Sequence, residues 1–183
     1  MNFLKDNSQI RLTKCMNNYI IIKIKYLYYS QTNVKQLVMN GRQKMERRKA
    51  RETLFELLFE CEFKKDDDAA EIYRTADEIR EIGYDKYLEK VYFGVIDNVA
   101  EIDEIIEKRA IGWKTGRMTK VSISILRIAV YEMKFLDDIP FMVSINEAVE
   151  LSKKFDDDKA PAFINGILNR VAEDLGLKGE NKG

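Results

Sequence analysis

Histidine is absent from this chain, which removes the commonest general base and the commonest metal ligand. Ser-His-Asp and Cys-His arrangements are therefore excluded. Cysteine is scarce: Cys15 and Cys61 stand 46 positions apart, outside zinc and redox spacings. Cys61 falls on the apolar side of a predicted helix, and a buried structural thiol in a reducing compartment is favoured over a disulfide. The nine glycines are scattered, several at expected helix ends or in the tails, so no glycine-rich phosphate loop is formed. Long apolar runs are lacking too. The longest, 19–29, is interrupted by Lys23 and Lys25 and falls well short of the roughly 20 residues that span a bilayer. No small-residue cleavage site follows it. The expectation is a cytoplasmic protein with no membrane partner, no metal, no cofactor and no catalytic residues.

Charge is abundant and balanced, with 31 basic and 31 acidic residues, but it is unevenly placed. Residues 1–44 carry a net +7 and residues 45–183 a net −7. A chain of zero total charge attracts no polyanion as a whole, so any nucleic-acid site has to be a local basic patch. The first 44 residues also differ in kind. Asn, Ile, Lys and Tyr fill 21 of those positions without helical period, the composition of an AT-rich non-coding frame. Met45 is therefore read as the natural start, with 1–44 an upstream extension; the rival reading is a basic tail that helps to hold RNA. Within it, Ile22, Ile24, Tyr26 and Tyr28 alternate with lysines in a strand-like manner at best.

From residue 46 onward the apolar period is helical. Ala50, Leu54, Leu57, Leu58 and Cys61 line one face of a helix over about 47–63. Asp68 and Glu71 have capping-box spacing for a helix over 69–81, with Gly83 at its C′ position. Residues 85–110 form one long helix or two with a bend. Residues 118–136 form a strongly apolar helix stopped by Asp137-Asp138-Ile139-Pro140. Ser144 and Glu147 read as a capping box, flanked by Val143, for a helix running to about Phe155. Pro161 then opens a last helix that ends at Gly176. The fold class is an all-α compact bundle of six to seven helices. The domain divisions are 1–44, a helical domain over 45–176, and a polar tail over 177–183.

Carboxylates fall mainly on polar helix faces or in the runs 66–68 and 156–158, which read as caps and solvated loops without the ligand spacing of a metal loop. The basic cluster Arg47, Arg48, Lys49 and Arg51 is different. Cations at a helix N-terminus oppose the macrodipole and cost a few tenths of a kcal/mol or more each. They serve either as a solvated helix start or as a site where phosphates are neutralised and counterions released. Phe59, two turns further on, is either a core residue or a surface on which an unpaired base stacks.

Three segments resemble one family. Arg47-Arg48-Lys49-Ala50-Arg51-Glu52 followed by Leu54, Leu57, Leu58 and Phe59 is similar to the opening helix of NusB proteins. Residues 125–133, Ile-Leu-Arg-Ile-Ala-Val-Tyr-Glu-Met, are similar to their central segment. Residues 145–151 with Phe155 and the Phe163-Ile164-Asn165-Gly166-Ile167-Leu168 run look like their closing signature. The likeness covers 45–175 in order. It implies a seven-helix fold of two packed halves and a transcription antitermination factor. Such a factor binds boxA-type single-stranded RNA together with the ribosomal protein NusE and supports read-through by RNA polymerase, chiefly in rRNA operons. It implies that Arg47, Arg48, Lys49 and Arg51 contact RNA phosphates, that Phe59 stacks, and that Lys159 and Phe163 are RNA-proximal. It also implies backbone hydrogen bonds from Asn146 and Asn165, and a close helix approach at Gly166. Arg127 with Glu132 is read as an internal ion pair or network without assigned function. Arg117, Met118 and Ser122 are candidates for the NusE-facing surface, with Trp113 either there or in the core.

Two other readings belong to different classes: an accessory domain related to the N-terminal domains of rRNA cytosine methyltransferases, and a stand-alone helical oligomer such as a homodimer. The first is disfavoured because no methyltransferase domain follows Leu175. Mass spectrometry of the native protein is expected to find no tryptic peptide from before Met45; one such peptide overturns that start in favour of the basic tail.

Overall fold

The computed structural model describes residues 45–64, 67–80, 82–83, 85–110 and 115–178. The 1–44 extension with Cys15 and its strand-like stretch, Asp66, Trp113 and the end of the C-terminal tail lie outside the described residues. Among those described there are seven α-helices, one 3-10 turn and no strand. The helices are α1 (Arg47–Phe63), α2 (Ala69–Arg80), α3 (Lys86–Asp97), α4 (Val99–Arg109), α5 (Lys120–Phe135), α6 (Phe141–Phe155) and α7 (Ala160–Asp174). The 3-10 turn is Thr115–Arg117. No helix among the described residues is long and apolar enough to cross a membrane.

The described residues fall into two compact units, one holding α2 within 64–83 and the other holding 46–63 with 85–178. Within the first, α2 is capped as its sequence indicates, but only in part. Asp68 Oδ1 accepts the Ala70 amide at 3.0 Å, whereas Glu71 turns forward to Arg74 instead of back to the cap. Gly83 has a φ of 72°, a left-handed conformation that glycine adopts without a Cβ penalty. Its amide donates to Asp77 Oδ1 at 2.8 Å.

In the second unit α5 is the axis, packed against α1, α3, α4, α6 and α7. Its buried residues fall on every side: Ile123, Ile125, Leu126, Ile128, Ala129 and Val130 are all buried, the pattern of a helix that meets neighbours all round. Thr119 caps it by accepting the Ser122 amide at 2.9 Å. The 85–110 segment is two helices. Asn98 makes the break: its side-chain Nδ2 donates to the Gly94 carbonyl at 2.8 Å, competing with the helical ladder as short polar side chains do. Gly94 itself lies inside α3, not at a helix end. A Cβ there would come within 2.2 Å of the Tyr131 ring, so the missing side chain is what lets α3 sit against α5.

The start of α6 differs from the capping-box expectation. The helix begins at Phe141, directly after Pro140, whose carbonyl accepts the Val143 amide at 2.8 Å. Proline's fixed φ is already suited to opening a helix. Ser144 lies inside α6, where its hydroxyl donates to Glu132 at 2.6 Å. The last helix follows its sequence signals closely. Asp157 Oδ1 accepts the amides of Lys159 and Ala160, and Pro161 sits in the first turn. At the end, Gly176 has a φ of 68°. Its amide bonds the Glu173 carbonyl while that of Leu177 bonds the Ala172 carbonyl, the Schellman pattern.

Candidate nucleic-acid interface

The four cations at the start of α1 divide into two groups. Arg47, Arg48 and Lys49 are exposed, whereas Arg51 is 4% exposed. A helix of 3.6 residues per turn rotates Arg51 onto the inward stripe with Ala50, Leu54 and Leu58. Its guanidinium Nε donates to Glu132 Oε1 at 2.9 Å, with Nη1 3.6 Å from Glu147. Glu132, 1% exposed, also accepts the Tyr87 hydroxyl and the Ser144 hydroxyl. Burial and the neighbouring Glu132 charge both push the Tyr87 phenol upward. The expectation that Arg51 contacts RNA phosphates is therefore corrected: its charge is buried and matched within the chain, so it secures the helix instead of facing solvent.

The other three cations are held loosely. Arg47 stacks over the Tyr87 ring with its guanidinium carbon 4.0 Å from the centroid. Arg48 stands 3.6 Å from Glu150 and Lys49 3.8 Å from Glu52. Exposed pairs of this length contribute little to stability, so these side chains are available to an incoming anion.

Phe59 is half-buried and lies in an aromatic ladder. Phe155 of α6 packs on Phe55 with centroids 4.6 Å apart, Phe55 is 5.7 Å from Phe59, and Phe59 is 5.0 Å from Phe63. Phe55 is buried and Phe63 is 67% exposed, so Phe59 stands between core and surface. The Phe155–Phe55 contact brings the end of α6 onto α1. The loop that follows carries Lys159, exposed at the N-cap of α7, and Phe163, half-buried in that helix's first turns. Two rings 100 positions apart in sequence thus join α1 to the end of α6.

Several expectations do not hold. Met118 and Ser122 are 7% and 4% exposed, and the Ser122 hydroxyl donates to Asp156 at 2.5 Å, so both side chains face inward. Arg117 is exposed and remains a partner candidate. Asn146 and Asn165 are exposed rather than core residues; Asn165 accepts from Asn169 one turn on. A Cβ on Gly166 would meet nothing within 4 Å, so no close helix approach requires it. Arg127 is not paired with Glu132. Its guanidinium binds Asp103 through two 2.8 Å bonds and also reaches Glu62, tying α1 and α4 to α5. Cys61 is half-buried rather than fully buried, its sulfur 3.0 Å from the Tyr92 hydroxyl, and burial pushes its thiol up. Lys153 and Lys154, at the end of α6 beside the α1 cations, were missed by sequence reasoning because a Lys-Lys pair in a last turn reads as a complement to the helix dipole.

Fold and surface together define a class: small all-helical proteins that present a cationic helix start beside a half-buried aromatic edge. Known proteins make the assignment specific. The family model described as "NusB family" matches residues 48–173. The chain is 43% identical over 136 residues to the transcription antitermination protein NusB of Agathobacter rectalis, covering 70% of this chain and all of that protein. It is 47% identical over 137 residues to the NusB of Natranaerobius thermophilus, covering 72% and 97%. T. maritima NusB superposes with a TM-score of 0.65 at 34% identity, covering 72% of this chain and 93% of that one. NusB from the complex of antitermination factors NusB and NusE with dsRNA superposes at 0.63 and 28% identity, covering 70% and 96%. The chain belongs to the NusB family.

The split among the cations has a measurable consequence. Arg51→Met leaves the Glu132 carboxylate buried without its partner and is expected to lower stability by about 3–5 kcal/mol. The triple variant Arg47→Ala/Arg48→Ala/Lys49→Ala is expected to melt within a few degrees of the parent. Thermal unfolding followed by circular dichroism checks both; equal losses in the two variants overturn the division.

Proposed function

We propose that this chain is a transcription antitermination factor that binds boxA-type RNA together with NusE and supports read-through by RNA polymerase, chiefly in rRNA operons. It acts as a cytoplasmic binding module and not as an enzyme. The family membership and the antitermination proteins that it matches over nearly their whole length support the biological role. A solved NusB relative in complex with NusE and RNA supports the choice of partners.

The observation that carries the reading is the exposed trio Arg47, Arg48 and Lys49. These cations stand at a helix N-terminus, where the macrodipole opposes them, on a domain of net charge −7 over 45–183. Their position gains nothing from the helix dipole in the free chain, and it presents several N–H donors together to a phosphate backbone. Mechanistically, the cations fix the strand by its phosphates, and Phe59 and Phe163 receive unstacked bases along their partly open rings. Lys159 adds a charge at the neighbouring loop. Arg117, exposed at the 3-10 turn, is the NusE-facing candidate that the fold leaves open.

The test is binding of boxA-containing RNA against a scrambled strand and a duplex control, with and without NusE, over a range of salt. The boxA single strand is expected to bind best. The triple variant Arg47→Ala/Arg48→Ala/Lys49→Ala is expected to lower the salt slope by about 2, since each phosphate contact on a single strand contributes ~0.7. Arg117→Ala is expected to lower NusE recovery without changing binding of RNA to the chain alone. Unchanged RNA affinity in the triple variant counts decisively against the assignment.

A further inference from the structure

Between the first turns of α1 and the last turns of α6 lies an open cleft of about 250 Å³. Its charged walls are arranged as two clasps. Glu150 stands between Lys153 at 2.6 Å and Arg48 at 3.6 Å. Glu52 stands between Lys154 at 2.8 Å and Lys49 at 3.8 Å. In each clasp one carboxylate faces two cations, one from each helix, so the pair of clasps carries an excess of two positive charges. The lysine contacts are at hydrogen-bond length and the α1 contacts are not. Glu147, the other acid of the cleft, stands 3.6 Å from the buried Arg51, whose charge Glu132 already matches, so the cleft as a whole keeps an excess of one positive charge. The hydrogen bonds from Lys154 and Lys153 hold the carboxyls of Glu52 and Glu150 below the usual range, so both acids stay ionised in neutral solution.

We propose that this cleft is a second limb of the RNA site, in which Lys153 and Lys154 bind backbone phosphates together with Arg48 and Lys49, and Glu52 and Glu150 are internal counter-ions that the phosphates replace. The inference rests on the RNA reading above and extends it to residues of α6. Both kinds of anion seek the same donors, and a strand brings successive phosphates to a convergent set of cations where each clasp has a single carboxylate. The four cations are more than half exposed, with Arg48, Lys49, Lys153 and Lys154 side chains at 59%, 59%, 56% and 54%. They are therefore free to reorient towards a strand. The lining of the cleft runs to Lys154, the residue before Phe155 and five positions before Lys159. Replacing a phosphate-competing carboxylate strengthens binding, whereas a surface ion pair that only supports the fold is nearly neutral when removed.

The full-length chain with the boxA-containing RNA supplies the test. Lys153→Ala/Lys154→Ala is expected to weaken binding roughly five- to tenfold at low salt and to reduce the salt slope by about 1.4, two single-strand phosphate contacts. Lys153→Arg/Lys154→Arg is expected to retain it, and Glu150→Gln to tighten binding severalfold, all with unchanged melting. If the two lysines only complement the α6 dipole, the alanine pair lowers melting and leaves RNA affinity alone, which overturns the proposal. Unchanged affinity in Glu150→Gln overturns the counter-ion role. If the alanine pair binds normally while the α1 triple variant is weakened, the second limb is wrong and the RNA reading stands. If both bind normally, the RNA reading itself has failed.

Discussion

The bond between Arg51 and Glu132 is the constraint on which the interface depends. It joins α1 to the central helix at a depth where neither charge is reached by water, and Tyr87 and Ser144 complete the hydrogen bonding of the carboxylate. A buried ion pair is weak evidence for added stability, but removing one partner is strongly unfavourable. Its value here is geometric. A helix fixed in rotation by a buried guanidinium one turn in has no freedom to turn its first residues elsewhere, and Arg47, Arg48 and Lys49 are held on the outer side. The partner contacts of Arg51 with α5 and α6 also draw the end of α6 towards the same edge, where Lys153, Lys154, Phe155 and then Lys159 follow in order.

The same chemistry is thus put to opposite uses within five residues. One arginine is desolvated and matched; its neighbours are solvated and only loosely paired. The difference is set by helical phase, since the stripe that contains Ala50, Leu54 and Leu58 includes position 51 and excludes 48 and 49. A second, half-buried arginine, Arg127, plays a corresponding part on another side of α5, clamping Asp103 and Glu62. The two networks share no residue, and together they define the rotation of α1 and the seat of α4 on the central helix. Gly94 adds a steric condition, because the Tyr131 ring occupies the space that a side chain would need.

Most of the fold was legible in the sequence. The helical period of α1, the stop before Pro140, the Asp157 cap, Pro161 and Gly176 are local signals, and local signals survive folding. What was not legible depended on partners far away in the chain. Ser144 looks like a cap because caps and buried hydroxyl donors use the same residue; only the Glu132 carboxylate, twelve positions earlier, shows which role it has. Arg51 looks like one of a run of four cations until α5 is placed beside it. The expectation for Met118 and Ser122 failed for the reverse reason: both are buried, and Ser122 reads as free until Asp156, 34 positions later, is seen to take its hydroxyl. Phe59 was ambiguous in sequence and is intermediate in the structure, with one ring neighbour buried and the other largely in solvent.

The central claim is that Arg51 is a locked structural cation while Arg47 and Arg48 beside it are the ones available to a phosphate. Arginine side-chain Nε–H resonances report this directly. In the free protein the Arg51 Nε–H is expected to exchange slowly with solvent and to keep its chemical shift when RNA is added, while those of Arg47 and Arg48 exchange fast and shift on binding. A rapidly exchanging Arg51 Nε–H in the free protein, or one that moves with RNA while Arg47 and Arg48 stay still, contradicts the account.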